Sequence, residues 1–339
     1  MPELRIDPLS GLRVIVAGER GDRPGAWLDF EERRPVDPET DPFLEGHEDR
    51  TPPEVYALRP DGAGRNGPGW SVRVVPNLYP ALVGEGTSLE LRSDPLATGT
   101  GEPKLFAARP ATGSHEVIVN GPQPVSSLLE LPPEQLSDAM RVWRERMRAH
   151  SDAAYVHVIV NEGREAGASL PHTHAQLYAL PFVPATVARE RERFSAYSLR
   201  THGRNLLEDV LQQEVRLDER VVGVDAEAVA ICPFASGVPF QLQIVPRRPA
   251  ARFEEEGPLA AGLLRETLAR LAAVLGSLPP LNAWVRTAPR GADRFCWRID
   301  VLPRLAHLAG LEVGVGLHLN VLPPELAAQR LREANPAYP

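Results

Sequence analysis

Alternating apolar and polar positions divide the chain into short segments. Arg13–Ala17 (RVIVA) and Ser71–Val75 (SVRVV) are short valine-rich runs that predict strands set among prolines and glycines over the first ~110 residues. His115–Val119 (HEVIV) predicts the next strand. The period becomes helical over Pro132–His150, where Leu136, Met140, Trp143 and Met147 share a face behind an opening of prolines and glutamate. Tyr155–Val160 (YVHVIV) returns to a strand, a glycine-containing stretch runs from Asn161 to Ser169, and Pro171–Leu180 (PHTHAQLYAL) alternates again.

The second half repeats this order. Gln241–Val245 (QLQIV) parallels the His115 strand, and Pro258–Leu278 places Leu259, Leu263, Leu264, Leu268, Leu271 and Leu275 on one helical face. Ala283–Arg286, a turn at Ala288–Asp293, and Phe295–Leu302 then follow as Tyr155–Val160, the glycine stretch and Pro171–Leu180 did. The repeat predicts an α+β fold of two similar modules, each an antiparallel sheet packed with helices. The modules are read as residues 1–185 and 186–339, joined near 185–225 by a polar, arginine-rich and partly helical segment.

Composition narrows the classes. With 43% hydrophobic and 24% charged residues among 339, the chain is an ordinary globular protein, and 27 glycines with 35 prolines argue for short elements over long bundles. The formal charge is −8, and Lys104 is the single lysine beside many arginines. An acidic chain without a basic block argues against nucleic acid and anionic membranes as partners. No Walker glycine–lysine loop occurs, so a bound phosphate must meet arginine, histidine or backbone N–H. Cys232 and Cys296 are too few for a disulfide framework and read as free thiols in a reducing compartment. Met1–Arg5 has no apolar leader pattern, and no apolar run approaches the ~20 residues of a membrane span, so a cytoplasmic location is expected.

The chemistry concentrates between Asn161 and Gln176. On a strand, His172, His174 and Gln176 project from one face and offer three polar groups to one ligand. Upstream, Gly163, Gly167, Ala168 and Ser169 form a small-residue loop whose amides and hydroxyl can approach a phosphate. Spacing alone leaves a catalytic pair, a metal pair and an ordinary surface strand all open. The longer run Asn161-Glu-Gly-Arg-Glu-Ala-Gly-Ala-Ser-Leu-Pro-His-Thr-His-Ala-Gln176 brings loop, serine, histidines and glutamine in the order that nucleotidyl transfer requires.

This run resembles the active-site motif of the galactose-1-phosphate uridylyltransferase family, a branch of the histidine-triad superfamily. Further matching segments include Leu12–Pro24 with Arg20 and Arg23, Gly46-His47-Glu48, Thr51–Glu54, Trp70–Asn77, Ser114–Val119, Pro233–Phe240, Pro303–Leu305 and the tail from Gly310 to Arg332. The resemblance implies two histidine-triad-like modules, a homodimer, and transfer of UMP between UDP-hexose and hexose 1-phosphate by a ping-pong route. It implies His174 as the nucleophile that carries the nucleotide as a phosphoramidate, with Gln176 holding the transferring phosphoryl oxygen and Ser169 assisting. Asn77, Asn161, Gly167 and Ala168 would contact the nucleotide, and Arg20 and Arg23 would neutralise its charge. In the C-terminal module, Glu312 and Asn320 would contribute to substrate binding. Glutamine where histidine-triad hydrolases carry a third histidine fits exchange between phosphates, because a sugar phosphate leaves as a stable anion and needs no proton.

The chain departs from the family pattern at its metals. The resemblance implies a zinc held by a Cys-x-x-Cys pair and two histidines; here Asp41 and Leu44 replace the cysteines, leaving His115, His172 and Asp41 as the remaining donors. Structural zinc takes four good donors, so this zinc is expected to be lost. A second metal position reads Cys296-Trp297-Arg298, where packing or an Arg298–carboxylate pair is expected instead. Thr173 replaces the proline between the histidines, which is expected to loosen that backbone. The competing readings are an ADP-sugar phosphorylase using the same histidine and a non-catalytic nucleotide-binding relative.

Overall fold

The computed structural model describes all residues except 24–26, 32, 61, 63, 85–105, 107, 109, 256 and 337–339. Pro24 and Lys104 fall outside the described residues. The first half contributes β1 (Glu3–Ile6), β2 (Arg13–Val16), β3 (Tyr56–Leu58), β4 (Val72–Pro76), β5 (Ser114–Val119), α1 (Pro133–Ala149), β6 (Tyr155–Glu162) and β7 (His174–Leu180). After α2 (Ala185–Arg200) and α3 (Leu206–Leu217) come β8 (Val221–Val224), β9 (Ala228–Ile231), β10 (Leu242–Pro246) and α4 (Ala261–Leu275). The chain ends with β11 (Leu281–Arg286), β12 (Arg298–Pro303), α5 (Gly310–Val315), β13 (His318–Asn320) and α6 (Pro324–Glu333).

Ten strands form one antiparallel sheet in the order β3-β4-β5-β7-β6-β11-β12-β10-β9-β8. Reading outward from the centre, the first five mirror the last five, as the repeated sequence order requires. The two sets are continuous, because β6 pairs with β11 through Val158–Val285 to Glu162–Leu281. A sheet for each half is therefore half of one larger sheet.

Strand alternation divides the two faces of this sheet. Val74, Ile118, Ala175, Leu177, Val158, Val160, Ala283, Val285, Ile299, Val301, Leu242 and Ile244 are buried on one face, in a core shared with α1 and α4. The helical positions read from sequence point inward: Leu136, Met140, Trp143 and Met147 of α1, and Leu263, Leu264, Leu268 and Leu271 of α4, are all buried. Pro133 sits at the first position of α1, where a missing N–H costs nothing.

The opposite face carries the polar positions of β7, β6, β11 and β12. Over the second half α2 and α3 close it with Phe194, Leu207 and Leu211 against Val229, Ile231, Val245 and Phe295. Over the first half a loop containing Phe43 packs on Trp70, Val75, Val117 and Val119. That loop is tied down by buried ion pairs: Arg59 and Arg73 both meet Glu54, Arg73 also reaches Thr51, and the Trp70 indole donates to Glu48. A separate small sheet joins the chain's beginning to its end, since β2 pairs antiparallel with β1 and parallel with β13. Among the described residues no helix is long and apolar enough to cross a membrane.

Candidate active site

β7 starts at His174, so the predicted strand is shorter at its beginning and His172 lies before it. Of the three polar groups expected on one face, only His174 and Gln176 share the strand. His172 is completely buried: its Nε2–H donates to the Gly121 carbonyl at 2.9 Å, and its Nδ1 is hydrogen-bonded to the Asp41 carboxylate at 2.6 Å. Asp41 in turn accepts the Phe43 N–H, and the Asp41 carbonyl accepts a bond from the His47 ring. Both nitrogens of His172 are thus committed to hydrogen bonds, and His115 is engaged elsewhere. Among the described residues no three His, Cys, Asp or Glu side chains converge on a metal position. The donor set His115, His172 and Asp41 does not fit the zinc that the resemblance implies, since only His172 and Asp41 meet while His115 is bonded to Ala81 and Gln176.

Thr173 does not loosen this segment. Its N–H, which proline would lack, donates to the Val125 carbonyl at 2.8 Å. Its carbonyl and hydroxyl accept from the backbone and side chain of Asn120, which is itself anchored by the Trp143 indole. Three hydrogen bonds to two neighbouring segments replace the ring's stiffness.

The His174 ring is buried, with Phe43 edge-on at 5.2 Å between centroids. Its Nδ1–H donates to the His172 carbonyl at 2.7 Å, which leaves the lone pair on Nε2. Burial pushes its pKa below the ordinary histidine value, against the opposing effect of that carbonyl, so the ring is neutral near pH 7.

Two residues on, Gln176 shares its face. The carbonyl oxygen of its side chain accepts from the Tyr178 hydroxyl at 2.9 Å and lies 2.9 Å from Nε2 of His115. Asn77 is placed beside His115, its Nδ2 3.1 Å from the same ring nitrogen, while its own oxygen accepts the Tyr79 N–H. On β6, Asn161 lies one step past the last registered pair, Val160–Ala175, and so faces the same way as His174. Its oxygen accepts from Asn282 of β11 at 2.8 Å, which leaves its NH2 as the free end.

The loop before β7 is a 3-10 turn, Arg164–Ala166, between two glycines with positive φ. Gly163 packs against Pro280 so closely that a Cβ would lie 2.8 Å from that ring. The amide donors expected of Gly167 and Ala168 are already used, by the Arg164 and Gly163 carbonyls, so these amides are not free for a phosphate. The Ser169 hydroxyl is exposed and lines a cavity of about 780 Å³ with Ala168, Leu170, Arg34 and Arg164. Arg33 at its wall is fixed by Glu162 and by the carbonyls of Ser126, Leu278 and Pro279.

Other expected contacts are assigned differently. Asn320 is completely buried and donates to the Ser236 and Val238 carbonyls while accepting the Leu322 N–H, so it braces β13 and cannot reach a substrate here. Glu312 accepts the Ala309 and Leu319 N–H groups and closes its own helix–strand turn. Arg20 and Arg23 are exposed around a 3-10 turn, and no described contact joins them to His174. Cys296 is buried with its pKa pushed up to about 12 by that burial, which makes it an inert filler.

Sequence reasoning missed Phe43, Tyr178, Arg34 and Asn282. Tyr178 extends the two-residue alternation of His174 and Gln176 and was legible in principle. Asn282 becomes a neighbour only through the β6–β11 pairing.

Comparison with known proteins gives a consistent assignment. Residues 1–184 match the family model for the N-terminal domain of galactose-1-phosphate uridyl transferase. An ADP-glucose phosphorylase from Arabidopsis thaliana is 30% identical over 350 residues, covering 98% of this chain and 93% of that protein. A galactose-1-phosphate uridylyltransferase from Haemophilus influenzae is 28% identical, covering 98% and 94%. The crystal structure of the Arabidopsis thaliana ADP-glucose phosphorylase with bound ADP-glucose superimposes with a TM-score of 0.78 at 28% identity, over 99% of this chain and 100% of that one.

Proposed function

The chain belongs to the galactose-1-phosphate uridylyltransferase family of nucleotidyltransferases, and from that premise we propose that His174 carries a nucleoside monophosphate from a nucleotide sugar to a second phosphate. The observation that carries this reading is the buried His174 ring, whose Nδ1–H is held by the His172 carbonyl at 2.7 Å while Nε2 keeps its lone pair. A fixed tautomer is what an imidazole nucleophile needs. The Nε2 lone pair bonds to the α-phosphorus, the bond to the bridging oxygen breaks, and the sugar 1-phosphate leaves as an anion. The positive charge left on the ring is shared with the His172 carbonyl through Nδ1–H. An oxygen of the acceptor phosphate then forms the new bond to phosphorus, the P–N bond breaks, and the neutral ring is restored.

Gln176 donates its NH2 to a non-bridging phosphoryl oxygen, a preorganised contact that strengthens as charge develops there. Asn77 and Asn161 offer further NH2 groups, and in this reading the cavity lined by Ser169, Arg34 and Arg164 takes the phosphate or sugar portion. Arg20 and Arg23 belong to this reading only across a homodimer contact, a partner that the resemblance also implies. Glu312, Asn320 and the amides of Gly167 and Ala168 have no part in it.

The nucleotide is the finer question. The adenylyl form, in which ADP-glucose and orthophosphate exchange, is supported by the match to the Arabidopsis thaliana ADP-glucose phosphorylase. The uridylyl form, between UDP-hexose and hexose 1-phosphate, is supported by the match to the Haemophilus influenzae uridylyltransferase. Incubation with ADP-glucose or UDP-glucose, acid-free denaturation and intact-mass measurement separate them, because the adduct mass is that of AMP or UMP. An AMP adduct absent from His174→Gly is the expected result. A UMP adduct alone selects the uridylyl form. No adduct and no isotope exchange with either donor leaves the non-catalytic binding reading.

A further inference from the structure

The direction of one hydrogen bond fixes the orientation of Gln176. The backbone N–H of Ala81 can only donate, and it lies 3.1 Å from Nδ1 of His115, so Nδ1 is the unprotonated nitrogen of that ring. The proton of the neutral ring is then on Nε2, 2.9 Å from the Gln176 side chain, and the group that receives it must be the amide oxygen. The Tyr178 hydroxyl reaches the same oxygen at 2.9 Å, and its ring stacks on His115 with centroids 4.1 Å apart, so the two donors arrive from one stacked pair. Asn77, whose own oxygen accepts the Tyr79 N–H, consequently sets its Nδ2 donor against the His115 Nε2–H at 3.1 Å, an unfavourable contact in this arrangement of the ring.

We infer that His115 and Tyr178 are positioning residues for Gln176: together they hold its carbonyl oxygen, so that its NH2 is the end presented beside His174. A flipped amide would place an oxygen lone pair against a phosphoryl oxygen, and repulsion would replace the donated bond. The inference rests on the reading of Gln176 as the phosphoryl-oxygen donor. It gives His115 a role in this chain that requires no metal, since the lone pair a metal would use is spent on Ala81 and the proton on Gln176.

The test is a mutant cycle on the full chain, with ADP-glucose or UDP-glucose as donor, whichever forms the adduct. Tyr178→Phe removes one oxygen from a half-buried ring and is expected to lower kcat about three- to tenfold, the size of one hydrogen bond. His115→Phe with Tyr178→Phe is expected to approach the loss in Gln176→Ala, roughly a hundredfold as for an oxyanion donor. KM changes by less than about twofold, because the contact matters in the transition state. His115→Gln, whose NH2 replaces the ring donor, is expected to recover most of kcat. In the Gln176→Ala background neither Tyr178→Phe nor His115→Phe costs more, and 15N NMR of the wild type shows His115 protonated on Nε2. Full activity of Gln176→Ala overturns the reading of Gln176 and the inference with it. A crippled Gln176→Ala alongside wild-type kcat in both His115→Phe and Tyr178→Phe, or losses that persist without Gln176, overturns the inference alone.

Discussion

His174 and Arg298 each open the strand one place from the centre of the ten-stranded sheet, β7 on one side and β12 on the other. His174 keeps a ring nitrogen free. Arg298 is completely enclosed, with Glu190 of α2 at 3.1 and 3.2 Å and Asp300 at 3.0 Å. The expected Arg298–carboxylate pair is therefore present, and α2 seals the second half where the Phe43 loop covers the first. One repeat places an imidazole with an unbonded nitrogen at this position, and its counterpart places a buried ion cluster there.

The seal has an energetic signature. Glu190→Gln leaves Arg298 and the neighbouring Arg286 with too little buried negative charge. A loss of about 3–5 kcal/mol in unfolding free energy is expected, as for breaking one partner out of a buried pair. Urea denaturation checks it; a change inside 1 kcal/mol, roughly the value of an exposed pair, would contradict the enclosed arrangement.

His174→Gly is expected to abolish adduct formation and lower exchange by roughly three orders of magnitude or more, with a melting temperature close to that of the wild type. Free imidazole added to this variant is expected to restore some transfer, because the vacated space fits the missing ring. Unchanged exchange would remove His174 from the reaction.

Acidity acts through the same ring. Attack requires the neutral form, and burial holds the pKa below the ordinary value of ~6.5, so protonation sets in only at lower pH. The rate of adduct formation is expected to be flat from pH 8 down past ~6.5 and to fall with further acidification. A midpoint above that value would show a ring that is not desolvated.

Asp41 is expected to stabilise through hydrogen bonds and not through a metal. Asp41→Ala strands the buried Nδ1 of His172 and releases Phe43 from its turn, with an expected cost of about 2–3 kcal/mol. Dialysis of the wild type against a chelator is expected to leave its thermal melt unchanged; a fall in melting temperature restored by zinc would reveal a metal after all.

Glu116 links stability to pH. Burial alone would raise its pKa, but bonds from His150 and from both ends of Arg146 hold it below the ordinary carboxylate range. Its stabilisation is complete above the unfolded-state value of ~4.3 and is lost as pH falls through the folded-state value. The urea midpoint is expected to decline below pH ~4 and to decline less in Glu116→Gln.

Much of this molecule is legible in the order of its residues. Period-two and helical patterns locate β5, α1, β6, α4 and β11 within a few positions, because one face of each must be apolar to reach a core. The run from Asn161 to Gln176 points to the family, since the order of loop, histidine and glutamine is itself local. Roles that depend on a hydrogen-bond partner far along the chain are not local. Glu312 and Asn320 match a family pattern in sequence yet spend their side chains on backbone groups, Asn320 on segments ~80 residues away. Gly167 and Ala168 look like donors until the turn consumes their amides. Which nitrogen of His115 holds the proton, which end of Gln176 faces the site, and whether Asp41 meets a metal or a histidine are decided only when β4, β5 and β7 are side by side. Hydrogen-bond direction is a property of pairs, and the pairs exist only in the folded chain.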